Sequence, residues 1–305
     1  MKIKTRHILL LSAALVGVLI ASQMRFDIPA DVAEKKYANS ASRFIDVDGQ
    51  RTHYRDEGSG FPLVLIHGTG SSLHTWETWV KLLSGNYRVI RMDLPGFGLT
   101  GPCAKKDYTI HGYVAFLHSF LKKVGISSCH IAGNSLGGRI AWNYAVQHQD
   151  KIVKMIIIDS DGYPTEKKIM ALELAKFPVL STLLQHVTPR FLFTKNLMQV
   201  YGDKSKVNDD LITRYYELTL RQGNRQAFID RAKTAFEEST SFLKTIKVPV
   251  LIMWGSDDQW IPVENAYKFF SDLPNSRFII YKGVGHVPME EIPEKTAKDA
   301  QAFLK

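Results

Sequence analysis

The chain has 305 residues, 45% apolar and 23% charged, which excludes a disordered, collagen-like or multi-span membrane protein and requires a real core. Lys and Arg number 39 against 30 Asp and Glu, a net charge of +9, but no basic run gathers that surplus into a patch, so we expect a mildly basic surface and no nucleic-acid site. The two cysteines, Cys103 and Cys129, exclude a disulfide-dense scaffold and any four-cysteine zinc site and are expected as free thiols.

Met1 to His7 carries Lys2, Lys4 and Arg6, and Ile8 to Ala21 is free of charge. A spanning helix needs about 20 apolar residues and a signal-peptide core about 7 to 15, so residues 1–24 read as an N-terminal signal peptide. The small-x-small cleavage pattern is poorly met around Leu19 to Gln23, which leaves an uncleaved membrane anchor as the alternative. Either way the basic flank stays in the cytosol, and everything after about Met24 lies across the membrane, in the cell envelope or periplasm. Residues 25–42, polar from Asp27 onward and containing Pro29, Glu34, Lys35 and Lys36, read as a spacer.

Beyond the spacer, short β-branched runs alternate with longer helical stretches. Arg43 to Val47 and Thr52 to Arg55, parted by Asp48-Gly49, form a predicted hairpin. Continuous apolar runs follow at Leu63 to Ile66, Arg88 to Met92, His130 to Ala132, Val153 to Ile158, Val250 to Met253 and Phe278 to Tyr281, the signature of strands buried on both faces. Predicted helices lie at about Leu73 to Leu83, Ile110 to Val124, Leu136 to His148, Val263 to Ser271 and Ile292 to Leu304. The fold class is therefore α/β: a mostly parallel central sheet, from residues 43–161 and 248–305, with helices on both faces. Residues 162–247 lose the strand alternation and are too long for a connection, so they are predicted as an inserted helical cap. Its Phe177, Leu180, Leu183, Leu184, Phe191, Phe193 and Leu197 suit a cover over an acyl pocket.

Gly133-Asn134-Ser135-Leu136-Gly137-Gly138 follows an apolar strand and opens a helix, the context of a nucleophile elbow. A serine there projects from the sheet on a strained turn, and small residues two before and two after avoid backbone collision. His67-Gly68-Thr69-Gly70-Ser71-Ser72 follows an earlier strand, where a glycine-rich loop supplies one half of an oxyanion hole and the amide after the nucleophile supplies the other. That nominates the main-chain amides of Thr69 and Leu136, with Gly70 as the substitute for Thr69. A serine nucleophile needs a base, and the base needs a carboxylate to orient it. Of ten histidines, His286 stands in a flexible loop after the last strand. His67 and His74 flank the oxyanion loop and are expected to shape it. His7, His53, His111, His118, His130, His148 and His186 are expected on the surface, in packing or in the leader. The acid candidates, Asp257 and Asp258, follow the Val250 to Met253 strand, giving the chain order Ser, Asp, His.

With these motifs the chain resembles the α/β-hydrolase fold superfamily from about Ser42 to Leu304. Asp93-Leu94-Pro95-Gly96-Phe97-Gly98 is similar to the family's loop after its fourth strand. The acid in family members usually stands three residues after the glycine of a Trp-Gly pair, here Trp254-Gly255, which selects Asp258 over Asp257. In some lipases the acid lies one strand earlier, where Asp159 and Asp161 stand. The resemblance implies a Ser135, Asp258, His286 triad needing no metal or organic cofactor. Within the superfamily, the elbow and Asp159-Ser160-Asp161-Gly162-Tyr163 look like a serine esterase and monoacylglycerol-lipase-like group acting on small-molecule or lipid esters. The alternatives are a carbon–carbon bond hydrolase of ring-cleavage products and a catalytically silent receptor on the same fold.

Overall fold

The predicted alternation is realised as an eight-stranded sheet in a computed structural model, which describes residue 7 and residues 22–164, 170–237 and 239–305. The apolar leader at 8–21 lies outside the described residues. The strands are β1 (Ser42–Val47), β2 (Gln50–Glu57), β3 (Phe61–Ile66), β4 (Tyr87–Met92), β5 (Cys129–Asn134), β6 (Ile152–Ile158), β7 (Val250–Gly255) and β8 (Ser276–Tyr281). They run in the order β1-β2-β4-β3-β5-β6-β7-β8. β2 is antiparallel to both β1 and β4, and the remaining pairs are parallel. Asp48 and Gly49 make the β1–β2 turn with φ of 53° and 86°, the pair of positive values that a two-residue hairpin turn requires.

Strand alternation explains why the apolar runs are continuous. Val64 and Ile66 enter one core with Leu117, Phe120, Ile140, Trp142 and Phe269. Leu63 and Leu65 enter the other with Trp79, Leu83, Ala300 and Phe303. The first core lies under helices α3 (Ile110–Lys123), α4 (Leu136–Gln147) and α10 (Glu264–Asp272). The second lies under α2 (Glu77–Leu83) and α12 (Pro293–Leu304). Each of the large aliphatic and phenyl side chains among these contributes roughly 1.5–3 kcal/mol of apolar transfer, so both faces must be covered and the strand ends are what remains for chemistry. Thr109 starts α3 by accepting from the Gly112 amide at 3.0 Å, an N-cap side chain taking one of the helix's orphan donors.

Between β6 and β7 lie helices α5 (Met170–Lys176), α6 (Pro178–Leu184), α7 (Arg190–Met198), α8 (Asp209–Leu220) and α9 (Asn224–Lys233), with no strand among the described residues. The apolar positions of this segment divide between solvent and interior. Leu197 is buried and Phe193 packs edge-on to Tyr216, while Phe177 (58% exposed), Leu180, Leu183 and Phe191 (67%) face solvent.

Residues 25–42 do more than span. They contain helix α1 (Ala30–Tyr37) with Ala33 buried, and they strap the segment containing α8 and α9 to the sheet domain. Asp27 accepts from Arg225 at 2.6 Å and from the Gly223 amide at 3.0 Å. Lys36 and Tyr37 reach Glu217 at 2.8 and 2.7 Å. Glu34 pairs with Arg51 on β2. The polar composition that suggests a spacer is here a set of ion-pair and hydrogen-bond partners.

Candidate active site

Ser135 sits between the end of β5 and the first residue of α4 with φ 54° and ψ −117°. That backbone conformation costs a non-glycine residue roughly 1–3 kcal/mol and persists only where the surroundings enforce it. They do so through packing. A Cβ on Gly133 would run into the Gly137 carbonyl, and a Cβ on Gly137 would run into the Ile66 carbonyl. Two amide bonds fix the turn from the neighbouring strand: Ser135 N donates to Ile158 O at 3.0 Å and Asp161 N to Ser135 O at 3.1 Å.

His286 follows β8, in the loop that leads into helix α11 (Pro288–Glu291). Its Nδ1 lies 2.6 Å from Asp258 Oδ2, and both side chains are buried. Asp258 is held in turn by the amides of Trp260 and Ile261, which donate to its Oδ1 at 2.7 and 3.0 Å. Asp257 is exposed and accepts from Ser256, so of the two adjacent acids only Asp258 meets the histidine. The imidazole loop is tied to the elbow: Asn134 Nδ2, on the residue before Ser135, donates to the His286 carbonyl at 2.9 Å and to the Ile158 carbonyl at 3.2 Å. The Ser135 hydroxyl is half-buried and makes no hydrogen bond among the described residues.

The 67–72 loop lies against the same turn, since a Cβ on Gly68 would stand 3.0 Å from Ser135 Cβ. Gly70 takes φ 71°, which leaves Thr69 on a tight corner. As the first residue of α4, Leu136 has an N–H with no carbonyl four residues back inside the helix. His67 shapes this loop. Its Nδ1 donates to Gly68 O at 2.7 Å, and its Nε2 accepts from the Leu94 amide at 3.0 Å. Burial lowers its pKa. A second buried histidine–aspartate pair, His53 Nδ1 to Asp93 Oδ2 at 2.7 Å, is structural: Asp93 also accepts the amides of Leu73 and Leu99 and so pins two loops. His118 and His148 stack at 4.5 Å, and His130 packs on Phe61.

Three further acidic residues lie at the site, of which the sequence singles out Asp159 but neither Glu290 nor Glu291. Glu291 is buried and accepts the amides of Gly202, Asp203 and Gly285 at 3.0, 2.7 and 2.9 Å. It thus joins the segment after α7 to the residue before His286, whose own amide donates to Val200 O at 2.7 Å. Glu290 takes Arg214 and Tyr215 from α8, each at 2.6 Å, and Thr75 from the opposite side at 2.8 Å. Tyr215 in turn lies 3.2 Å from the Ser71 hydroxyl. The third is Asp159, directly after β6; the neighbouring Asp161 points instead to Arg139.

Carboxylate or imidazole atoms of Asp159, Asp258 and His286 all lie within 4.8 Å of one another. They do not fit a shared metal ion. Two ligands of one zinc, at bonds of about 2 Å and tetrahedral angles, stand roughly 3.3 Å apart, whereas 2.6 Å is the length of a charge-assisted hydrogen bond. A crevice bordered by Gly70, Ser71, Phe97, Leu218 and Phe228 opens beside the 67–72 loop. Phe97, Leu218 and Phe228 are thus wall residues that the sequence does not single out.

Residues 62–293 match the α/β hydrolase fold family, and the chain belongs to that family. It is 28% identical over 284 residues to the 2-hydroxy-6-oxo-6-(2'-aminophenyl)hexa-2,4-dienoic acid hydrolase of Metapseudomonas resinovorans, covering 90% of this chain and 94% of the relative. It is also 28% identical to Lipase 1 of Psychrobacter immobilis, over 84% of this chain and 81% of the lipase. Among solved structures it resembles a membrane phospholipase A described as a bacterial virulence factor, with a TM-score of 0.76 and 28% identity over 100% of this chain and 98% of that one.

Proposed function

We propose that the protein is a serine hydrolase of carboxylic esters, with Ser135 as nucleophile, His286 as base, Asp258 orienting the imidazole, and the amides of Thr69 and Leu136 holding the oxyanion. The observation that carries this reading is the buried His286–Asp258 pair tied through Asn134 to a serine in a strained left-handed turn. His286 removes the hydroxyl proton as Ser135 Oγ attacks the ester carbonyl, and it returns that proton to the leaving alcohol. Water, activated by the same imidazole, then releases the acid from the acyl-enzyme.

Ester cleavage is favoured over carbon–carbon cleavage by charge. A ring-cleavage dienoate brings a carboxylate and wants a free cation, but Arg214, the neighbour of Tyr215 on α8, is already neutralised by Glu290 at 2.6 Å. The similarity to a dienoic acid hydrolase over 90% of this chain supports carbon–carbon hydrolysis as the second reading.

A fluorophosphonate probe should label the wild type and fail on Ser135→Ala. Nitrophenyl esters of graded chain length, assayed beside a ring-cleavage dienoate, then separate the two chemistries. Turnover of the dienoate above the esters overturns the ester reading.

We further propose export to the envelope, with residues 8–21 as signal or inner-membrane anchor and a lipid or small-molecule ester as substrate. The whole-chain similarity to a membrane phospholipase A supports this. Among the described residues no helix is long and apolar enough to cross a membrane. Release of the protein by alkaline carbonate would exclude the anchor, and a cytosolic readout from an alkaline phosphatase fusion would exclude export.

A further inference from the structure

Asp159 occupies a place that the proposed chemistry does not use. It follows β6, while Asp258 lies in the loop after β7. Because β6 and β7 are parallel neighbours, the two carboxyl groups meet at the same edge of the sheet. Asp159 is held there against its backbone preference, with φ 43°. Its amide donates to Met253 O at 3.0 Å, and its Oδ1 accepts the Gly255 amide at 3.0 Å. The residue is fully buried, and its Oδ2 receives no N–H or O–H among the described residues, although one of its carboxylate oxygens lies within 4.8 Å of atoms of Asp258 and His286.

Two buried carboxylates so close cannot both keep a charge when one imidazole faces them. The donors decide which is charged. Asp258 receives three, from the Trp260 and Ile261 amides and His286 Nδ1, whereas Asp159 receives one. Of the other ionisable groups near Asp159, Glu291 carries a charge that acts in the same direction and Tyr281 brings no positive charge.

We propose that Asp159 is a positioning residue that stays protonated at working pH and donates its Oδ2 proton as a hydrogen bond to the Asp258 carboxylate, fixing that carboxylate against His286 and moderating its basicity. Burial first, and the Asp258 charge second, push the Asp159 carboxyl well above the ordinary carboxylate range. The donated bond also gives its otherwise unpartnered oxygen a partner. This inference rests on the Ser135, His286, Asp258 reading for its kinetic consequence, but the protonation itself can be read without turnover.

Asparagine reproduces what a protonated aspartate does here, accepting from Gly255 and donating to Asp258; it cannot imitate an ionised one. The infrared difference spectrum between wild type and Asp159→Asn at neutral pH should show the carbonyl stretch of a protonated carboxylic acid, present only in the wild type. With a nitrophenyl ester, Asp159→Asn should keep kcat/KM within about 3-fold of wild type with an unmoved acid limb. Asp159→Ala should lose about 10- to 100-fold, the worth of a hydrogen bond to a charged acceptor. Its acid limb should move to higher pH, because an undamped Asp258 charge favours the imidazolium. The proposal is overturned by the absence of the neutral-carboxyl band, by an Asp159→Asn loss as large as that of Asp159→Ala, or by an acid limb displaced to lower pH in Asp159→Asn, which would mean a negative charge had been removed. If the wild type instead fails to react with the fluorophosphonate probe, the triad reading fails while the infrared result still stands or falls on its own.

Discussion

The Nδ1 of His286 and the Oδ2 of Asp258 lie 2.6 Å apart although the residues are separated by 28 positions in the chain. Neither side chain is more than 3% exposed, and the two backbone amides on Asp258 Oδ1 leave Oδ2 aimed at the ring. An acceptor there selects the tautomer with the proton on Nδ1 and leaves Nε2 free to act as a base.

Asp258→Asn presents an amide in place of that acceptor and favours the wrong tautomer. We expect kcat to fall by about 10⁴-fold with little change in KM. Asp257→Asn, at an exposed neighbour, should stay within about 2-fold. Steady-state kinetics on one ester for both variants checks the choice between the adjacent acids.

Glu290 joins α8 to the 67–76 region through Arg214, Tyr215 and Thr75. Replacing it by Gln leaves Arg214 without its counter-charge in a largely buried place. We expect a loss of about 1–3 kcal/mol and earlier proteolytic cleavage within 170–237. Urea midpoints and timed proteolysis measure both; an unchanged midpoint with an unchanged cleavage pattern would refute the latch.

Glu291 collects three amides around the loop that carries His286. Glu291→Ala leaves all three amides without their acceptor, so kcat should fall by at least about 10-fold through misplacement of the imidazole. The fluorophosphonate labelling rate should fall in parallel, and labelling at the wild-type rate would contradict the role.

Acid should destabilise the fold before it titrates ordinary carboxylates. Burial, only partly offset by the Asp93 charge and reinforced by Arg55, lowers the His74 pKa from 6.5 to about 4. The unfolded chain therefore binds the proton first. Stability is complete above pH 6.5 and is lost as pH falls through the window from 6.5 to about 4, by up to roughly 3 kcal/mol from this residue alone. Buried His67, whose pKa is lowered in the same direction, adds to the slope. A series of urea midpoints from pH 7 to pH 4 should show this decline, and His74→Gln should flatten part of it.

How much of this was legible depends on range. The Asp48-Gly49 turn, the continuous apolar strands and the glycine spacing around Ser135 are local signals, because a turn, a strand buried on both faces and a strained elbow each restrict the residues that form them. The two His–Asp pairs show the limit. His53 with Asp93 and His286 with Asp258 have nearly the same geometry, yet one pins loops and the other is joined to the elbow, and in the sequence only the place of His286 in the loop after the last strand marks it out. Similarly, residues 25–42 read as a polar spacer because their partners, Glu217 and Arg225, lie about 180 to 200 positions away.

By itself the sequence determined the strand and helix pattern, the α/β class, the serine elbow and the acid and base candidates, since each follows from periodicity or from backbone sterics within a few residues. Tertiary structure alone decided that β6 and β7 bring Asp159 to Asp258, that Glu290 and Glu291 bind α8 and the 200–203 segment to the histidine loop, and that Phe177, Leu180, Leu183 and Phe191 face solvent. Those outcomes depend on which strand ends become neighbours and on which buried charge finds donors. Such energies are set by distances across the fold, and they leave no periodic trace along the chain.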